Sequence, residues 1–473
     1  MHKPAPEEAV TSLHDLSAVD LIEGFKAGQF SPSEVLEDVL THVAAWEPHI
    51  KALYAFDPDG ARAVARASTE RWQKSEPMGV LDGVPVTIKD NIATRGVPVA
   101  LGSASVKPVA AERDAPPAAR LREAGAVIFS KTTMPDYGML SSGLSSFHPL
   151  TRNPWDLSKN PGGSSSGAGA AAAAGYGPLH LGTDIGGSVR LPACWCGLVA
   201  LKPSLGRVPV DPPYVGRVAG PMTRIVDDAA LMMSVLSRPD RRDGMSLPPN
   251  DINWKALEKS PRKLRIGLML DAGAGQALEK DVRAVAVKAA KAFESAGAVV
   301  TEVDGVMTRE ILDGLDHFWR ARMWDDLSKL TPAERARALP YILRWAETGA
   351  KLSSVDVVRG FNATMAIRAA TAKLFCEIDY VISPVSPVVN FAAELAAPLN
   401  NPTKPFEHIA FTVPWNMAEN PAVSINGGFD KKGFPIGVQI VGRRFDDIGV
   451  LGMAKAFEGL RGPQKPWPSP PKK

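Results

Sequence analysis

Two glycines stand directly before a serine in GTDIGGSVRLPAC, residues 182 to 194, with Asp184 on one side and Arg190 on the other. Lacking a Cβ, Gly186 and Gly187 let successive N–H groups turn inward into an anion-holding concavity, and let a carbonyl approach without side-chain clash. Ser188 stands at the rim of that cradle. Backbone donors aimed at a developing oxyanion are worth about 3–4 kcal/mol each in an acyl-transfer barrier. A charge-assisted pair between Asp184 and Arg190 would hold the turn in shape.

A serine is a weak nucleophile at neutral pH and needs a base. No histidine pattern accompanies Ser188, and Lys89 at the end of the apolar run VPVTIK is the alternative, since desolvation favours the uncharged amine. The opposing reading makes Lys89 an exposed strand-end charge or a partner of Asp90. On the residues alone both stand. A second cluster, NPGGSSSGAGAAAAAG at 160 to 175, contains Ser164. Neither cluster has the lysine of a phosphate loop, and G-x-G-x-x-G is absent. GSSSG at 163 to 167 matches the nucleophile elbow around Ser165, but NPWDLSKNPG upstream is loop chemistry rather than the strand that elbow needs, and only His180, His317 and His408 lie beyond it.

These pieces must be carried by regular elements. SPSEVLEDVLTHVAAW from Ser31 reads as a helix with Ser31 at its N-cap, Pro32 at its first position and Glu34 completing a capping box. LDGVPVTIKDNI at 81 to 92 alternates Val84, Val86 and Ile88 as a strand, and the alanine run after 168 favours helix. AGAVIFSKTTM (124 to 134) has the look of an αβ unit, and LRIGLML (264 to 270), AVVTEV (298 to 303), DYVIS (379 to 383), AVSI (422 to 425) and GVQIVG (437 to 442) read as further strands with helical patterns between several of them. Such alternation implies an α/β fold, a single compact domain over 1 to 463 with a central mixed, largely parallel β-sheet covered by helices. Residues 239 to 252 read as a surface loop, and 464 to 473 as a flexible C-terminal tail.

The 473 residues carry 54 Lys and Arg against 51 Asp and Glu, so the net charge of +3 offers no basic field for nucleic acid. The start, MHKPAPEEAV, has no apolar run after its positive charge, and no stretch reaches the ~18 apolar residues of a membrane span; neither secretory signal nor membrane is expected, and the location expected is cytoplasmic. Cys194, Cys196 and Cys376 are too few for a disulfide framework, and the C-x-C pair lacks a second pair of ligands for zinc; buried small hydrophobes are the reading of Cys194 and Cys196. No metal or organic cofactor is expected.

GVPVTIKDN (83 to 91), NPGGSSSGAGAAAAAG (160 to 175), LGTDIGGSVRLPACWCGLVALKPSLGRV (181 to 208) and DYVISPVSP (379 to 387) together resemble the amidase signature family, over nearly the whole chain. The resemblance implies a Ser, cis-Ser, Lys triad: Ser188 as nucleophile, Ser164 as the bridging serine preceded by a cis peptide bond, and Lys89 as base. It implies an oxyanion hole of the N–H groups of Ile185, Gly186, Gly187 and Ser188, with Thr183, Asp184 and Arg190 as structural supports and Cys196 as packing. An acyl-enzyme would form and then be cleared by water.

Where the family often reads K-T-N-[ML]-x-E-[FL], this chain has KTTMPDYGMLSSG, with Thr133 in place of Asn; Met139 and Ser141 in this segment are the substrate-binding candidates. His317, Phe318, Trp319, Trp324, Tyr341 and Trp345 form either ordinary core or an apolar substrate channel. The activity expected is hydrolysis of linear amide C–N bonds other than peptide bonds, extending to esters and carbamates. The partner expected is that small molecule, with a homodimer as the admissible assembly. Two alternatives are the glutamine-hydrolysing component of a tRNA-dependent amidotransferase and a non-catalytic binding protein that kept the fold.

Overall fold

A computed structural model describes residues 12–471. The opening stretch read as lacking a secretory signal lies, up to residue 11, outside the described residues. Among those described, no helix is long and apolar enough to cross a membrane.

Eleven strands join into one sheet in the order Leu53–Tyr54, Val127–Thr132, Pro85–Lys89, Leu179–Asp184, Val218–Thr223, Val199–Lys202, Ala422–Phe429, Pro435–Gly442, Tyr380–Pro384, Arg265–Leu268, Val299–Glu302. The domain is α/β and its sheet is mixed. Parallel pairing is confined to Pro85–Lys89 with its two neighbours and to the edge made by the strands at 380, 265 and 299. The centre, from the strand at 179 to that at 380, is antiparallel throughout. Antiparallel neighbours thus outnumber parallel ones, against the largely parallel sheet expected. The reason is connection length: a few residues join Ala422–Phe429 to Pro435–Gly442, too few for a helical crossover.

The helix from Ser31 spans Pro32–Ile50, and its Ser31 and Glu34 form the capping box. The alanine run forms Ser166–Ala174, a helix buried on every side. Its all-round burial suits a sequence of small residues, which lets strands and helices approach closely. Beyond residue 463 the chain has no regular structure but lies on the body: Gln464 bonds the Asn426 side chain at 2.8 Å, and the Arg224 guanidinium stacks on Trp467 at 4.5 Å. Residues 472 and 473 of the expected tail lie outside the described residues.

Candidate active site

Lys89 is the last residue of the strand Pro85–Lys89, in the parallel part of the sheet, and its side chain is fully buried. Its neighbour Leu179–Asp184 ends one residue after Thr183 and runs directly into Ile185, Gly186, Gly187 and Ser188. The N-terminus of the alanine-rich helix brings Ser164 and Ser165 to the same place, and the Ser165 N–H donates to the Ser188 carbonyl at 3.1 Å. Two motifs far apart in sequence are thereby stitched together at the ends of two parallel strands.

Around the Lys89 Nζ stand Ser164 Oγ at 2.8 Å, Ser165 Oγ at 3.0 Å and Thr183 Oγ1 at 3.0 Å. No carboxylate reaches it among the described residues, so Lys89 is neither an exposed charge nor bonded to Asp90, whose carboxylate instead accepts from the N–H groups of Ala100 and Gly102. Burial outweighs the attraction of Asp184 and Asp90 and pushes the Lys89 amine down to about 7. The peptide bond Gly163–Ser164 is cis. Ser188 is only half-buried, and no hydrogen bond joins its hydroxyl to that of Ser164 among the described residues.

Behind the turn, Arg190 and Asp184 are both wholly buried and pair through two hydrogen bonds, Nε to Oδ2 at 3.1 Å and Nη2 to Oδ1 at 3.0 Å. Burial alone would raise the Asp184 carboxyl, but the Arg190 charge and its bonds, with Asn416 adding another at 2.9 Å, hold it well below the usual carboxylate range. Asp184 also accepts from the N–H groups of Gly187, at 2.8 Å, and Val189, at 3.1 Å. The Gly187 N–H is therefore already engaged. Ile185, Gly186 and Ser188 keep N–H groups with no partner among the described residues. Thr412 Oγ1 donates to the Gly186 carbonyl at 2.6 Å, fixing the turn from its other side.

A cleft of about 420 Å³, counted with its open mouth, ends on Ser188. Met139, Ser141, Ile185, Trp319, Phe406 and His408 form much of its wall, and among the described residues no Asp, Glu, Lys or Arg lines it. A second and larger cavity, of about 950 Å³ counted in the same way, shares Met139 and Trp319 with the cleft and contains Asn91, Tyr137, Arg217 and Arg322. Asn91 donates to Thr183 Oγ1 at 3.1 Å, which puts this cavity on the Lys89 side of the turn.

The aromatics at 310 to 350 divide between the two expected roles. Trp319 lines both cavities, whereas Trp345 is buried and donates to Asp316 at 2.8 Å, and Phe318 packs on Phe361. His180 Nε2 donates to the Gly177 carbonyl at 3.0 Å and its Nδ1 accepts from the Thr87 hydroxyl at 2.8 Å, inside the sheet and away from Ser188. Cys194 and Cys196 are buried and free, while Cys376 is exposed. Sequence reasoning missed Ser165 as a ligand of the Lys89 amine, and Asn91, Thr412, Asn416 and Gln439 as supports of the turn. Ser165 carried a signal, standing beside Ser164, and so did Asn91, two residues after Lys89; Thr412, Asn416 and Gln439 sit 222 or more residues from the groups they hold and carried none.

A family model described as Amidase matches residues 34–451. The A chain of the glutamyl-tRNA(Gln) amidotransferase of Chloroflexus aurantiacus is 33% identical, the alignment covering 95% of this chain and 98% of that one. An "Acylamidase" of Rhodococcus erythropolis is 32% identical over 96% of this chain and 97% of its own. A bacterial aryl acylamidase of the amidase signature enzymes superposes with a TM-score of 0.88 at 28% identity, covering 95% of this chain and 96% of that one. The chain belongs to the amidase signature family.

Proposed function

We propose that the protein is a free-standing hydrolase of carboxylic amides with uncharged acyl groups, working through Lys89, Ser164 and Ser188. The observation that carries the reading is the Lys89 amine, fully buried, without a carboxylate partner among the described residues and 2.8 Å from Ser164 Oγ. A neutral amine has two N–H groups and one lone pair. Ser165 Oγ and Thr183 Oγ1 accept from the two N–H groups, and the Ser165 hydroxyl donates to the Thr183 carbonyl at 3.2 Å. The lone pair is left to accept from Ser164.

In this mechanism the Ser188 oxygen attacks the acyl carbon while its proton passes to Ser164 and the Ser164 proton to Lys89. The link between the two serines forms when substrate docks, since catalytic hydrogen bonds often tighten only in the Michaelis complex. The N–H groups of Ile185, Gly186 and Ser188 hold the oxyanion. The same relay, reversed, protonates the leaving nitrogen as the C–N bond breaks, and the amine leaves toward the cavity beside Asn91. Water then repeats the attack and frees the acid, restoring Ser188. Esters and carbamates present the same carbon and need no further residue.

An apolar cleft without charged walls supports an uncharged acyl group over the charged α-amino acid end of glutamine, and so favours the acylamidase relatives over the amidotransferase ones as functional guides. The test is hydrolysis of neutral acyl anilides by the purified chain alone. Turnover without added partner proteins is expected; activity on glutamine only, and only with such partners, would refute the reading.

A further inference from the structure

His408 stands in the cleft that ends on Ser188, and it is 3% exposed. Its Nε2 is buried without a hydrogen-bond partner, and Nδ1 has none among the described residues either. Several other buried polar atoms lack partners, among them those of Ser68, Tyr341 and Ser424, but none of these residues lines this cleft. A buried polar atom left unpaired keeps its desolvation penalty uncompensated, and each such atom calls for an explanation.

The backbone segment that carries His408 is anchored on both sides. The carbonyl of Glu407 accepts from the Gln276 N–H at 3.0 Å, and the Glu407 carboxylate pairs with Arg309 at 2.7 and 3.0 Å. Four residues on, Thr412 donates to the Gly186 carbonyl, so one short segment carries both His408 and a support of the oxyanion turn. Burial pushes the imidazole down to about 3, and it is neutral, with one donor and one acceptor. The rest of the nearby wall, Ile185, Trp319, Phe406 and Ile409, is apolar.

We propose that His408 is a specificity-determining residue that hydrogen-bonds one neutral oxygen on an otherwise apolar acyl chain, selecting hydroxy- or oxo-substituted acyl groups over plain alkyl ones. This rests on the amidase reading, because it takes the cleft at Ser188 as the acyl site. A charged group would find no counter-charge there, and a plain chain would leave the imidazole unpaired. A site built around a hydrogen bond discriminates strongly against the analogue that lacks it.

The experiment uses straight-chain acyl anilides in which a hydroxyl replaces hydrogen at successive carbons, assayed with the wild type, His408→Leu and His408→Gln. One hydroxyl position is expected to raise kcat/KM by about tenfold or more over the plain chain. His408→Leu should erase that preference, the hydroxylated and plain chains then showing kcat/KM values within about twofold of each other, and His408→Gln should restore part of it. Absence of any preferred position in the wild type, or a preference that survives His408→Leu, would overturn the proposal. Fluorophosphonate labelling of Ser188 is run in parallel. Labelled enzymes without hydroxyl discrimination would sink the role of His408 alone, whereas a wild type that neither labels nor hydrolyses any anilide would sink the amidase reading and the role of His408 with it. If His408→Leu does not label, His408→Gln and His408→Phe carry the comparison.

Discussion

Arg190 and Asp184 meet in a doubly hydrogen-bonded pair with no exposure on either side chain, directly behind the turn that presents Ser188. The pair is a positioning device. Its carboxylate spends its remaining lone pairs on the N–H groups of Gly187 and Val189, while the guanidinium reaches Gln439 at 2.7 Å and the Thr412 carbonyl at 2.9 Å. Removing one member leaves a buried, uncompensated charge, a far larger penalty than the pair's net worth.

Arg190→Met is accordingly expected to lower stability by about 3–5 kcal/mol in chemical denaturation. Arg190→Lys should not rescue it, because an ammonium cannot reproduce the planar fork that bonds Asp184, Asn416, Gln439 and Thr412 together. A loss below about 1 kcal/mol would mean that the network is not what shapes the turn.

Activity should rise with pH. Burial brings the Lys89 amine down to about 7, and the deprotonated amine is the form that accepts a proton from Ser164. Below about 7 the amine is charged and kcat/KM falls as pH falls; above it the amine is free and the profile levels off. Lys131 is also buried and also brought down to about 7, but it bonds the Ile92 carbonyl and Thr94. Lys131→Met should therefore leave the pH of the activity step in place. A flat profile from pH 6 to 9 in an enzyme that stays folded would count against Lys89 as the base.

Gly187 has a φ of +127°, and a Cβ there would lie 2.6 Å from Thr412 Oγ1, the group that holds the Gly186 carbonyl. Gly187→Ala must strain the backbone and push Thr412 away. We expect kcat to fall by about 10²-fold or more, the scale of a lost oxyanion donor, with a milder loss of thermal stability. Gly186→Ala meets only the ends of the Trp319 and Ile409 side chains, at 3.2 Å. It should narrow the cleft and change KM among acyl groups more than it changes kcat for the smallest.

Much of this was legible in the residues themselves. The strand ending on Lys89, the capped helix at Ser31 and the strands at 265, 380, 422 and 435 announced themselves through alternation and caps, which are local signals. The strands Leu179–Asp184, Val199–Lys202 and Val218–Thr223 did not, because each is interrupted or flanked by glycine or proline, and they are strands only by virtue of their neighbours. Their pairing is also what makes the middle of the sheet antiparallel. In the site, Ser188 and its glycines stood out by chemistry alone, while His408 looked like any isolated histidine. What distinguishes it is an unpartnered nitrogen on a residue of the cleft wall, a property that exists only after folding.

The most direct test of the central claim is fluorophosphonate labelling of the purified protein, with peptide mapping of the modified serine, beside the Lys89→Ala variant. The account predicts label on Ser188 in the wild type and a rate lower by about 10²-fold or more without Lys89, the range expected for loss of a general base. Label on Ser165, or on Ser188 at an undiminished rate in Lys89→Ala, would contradict it.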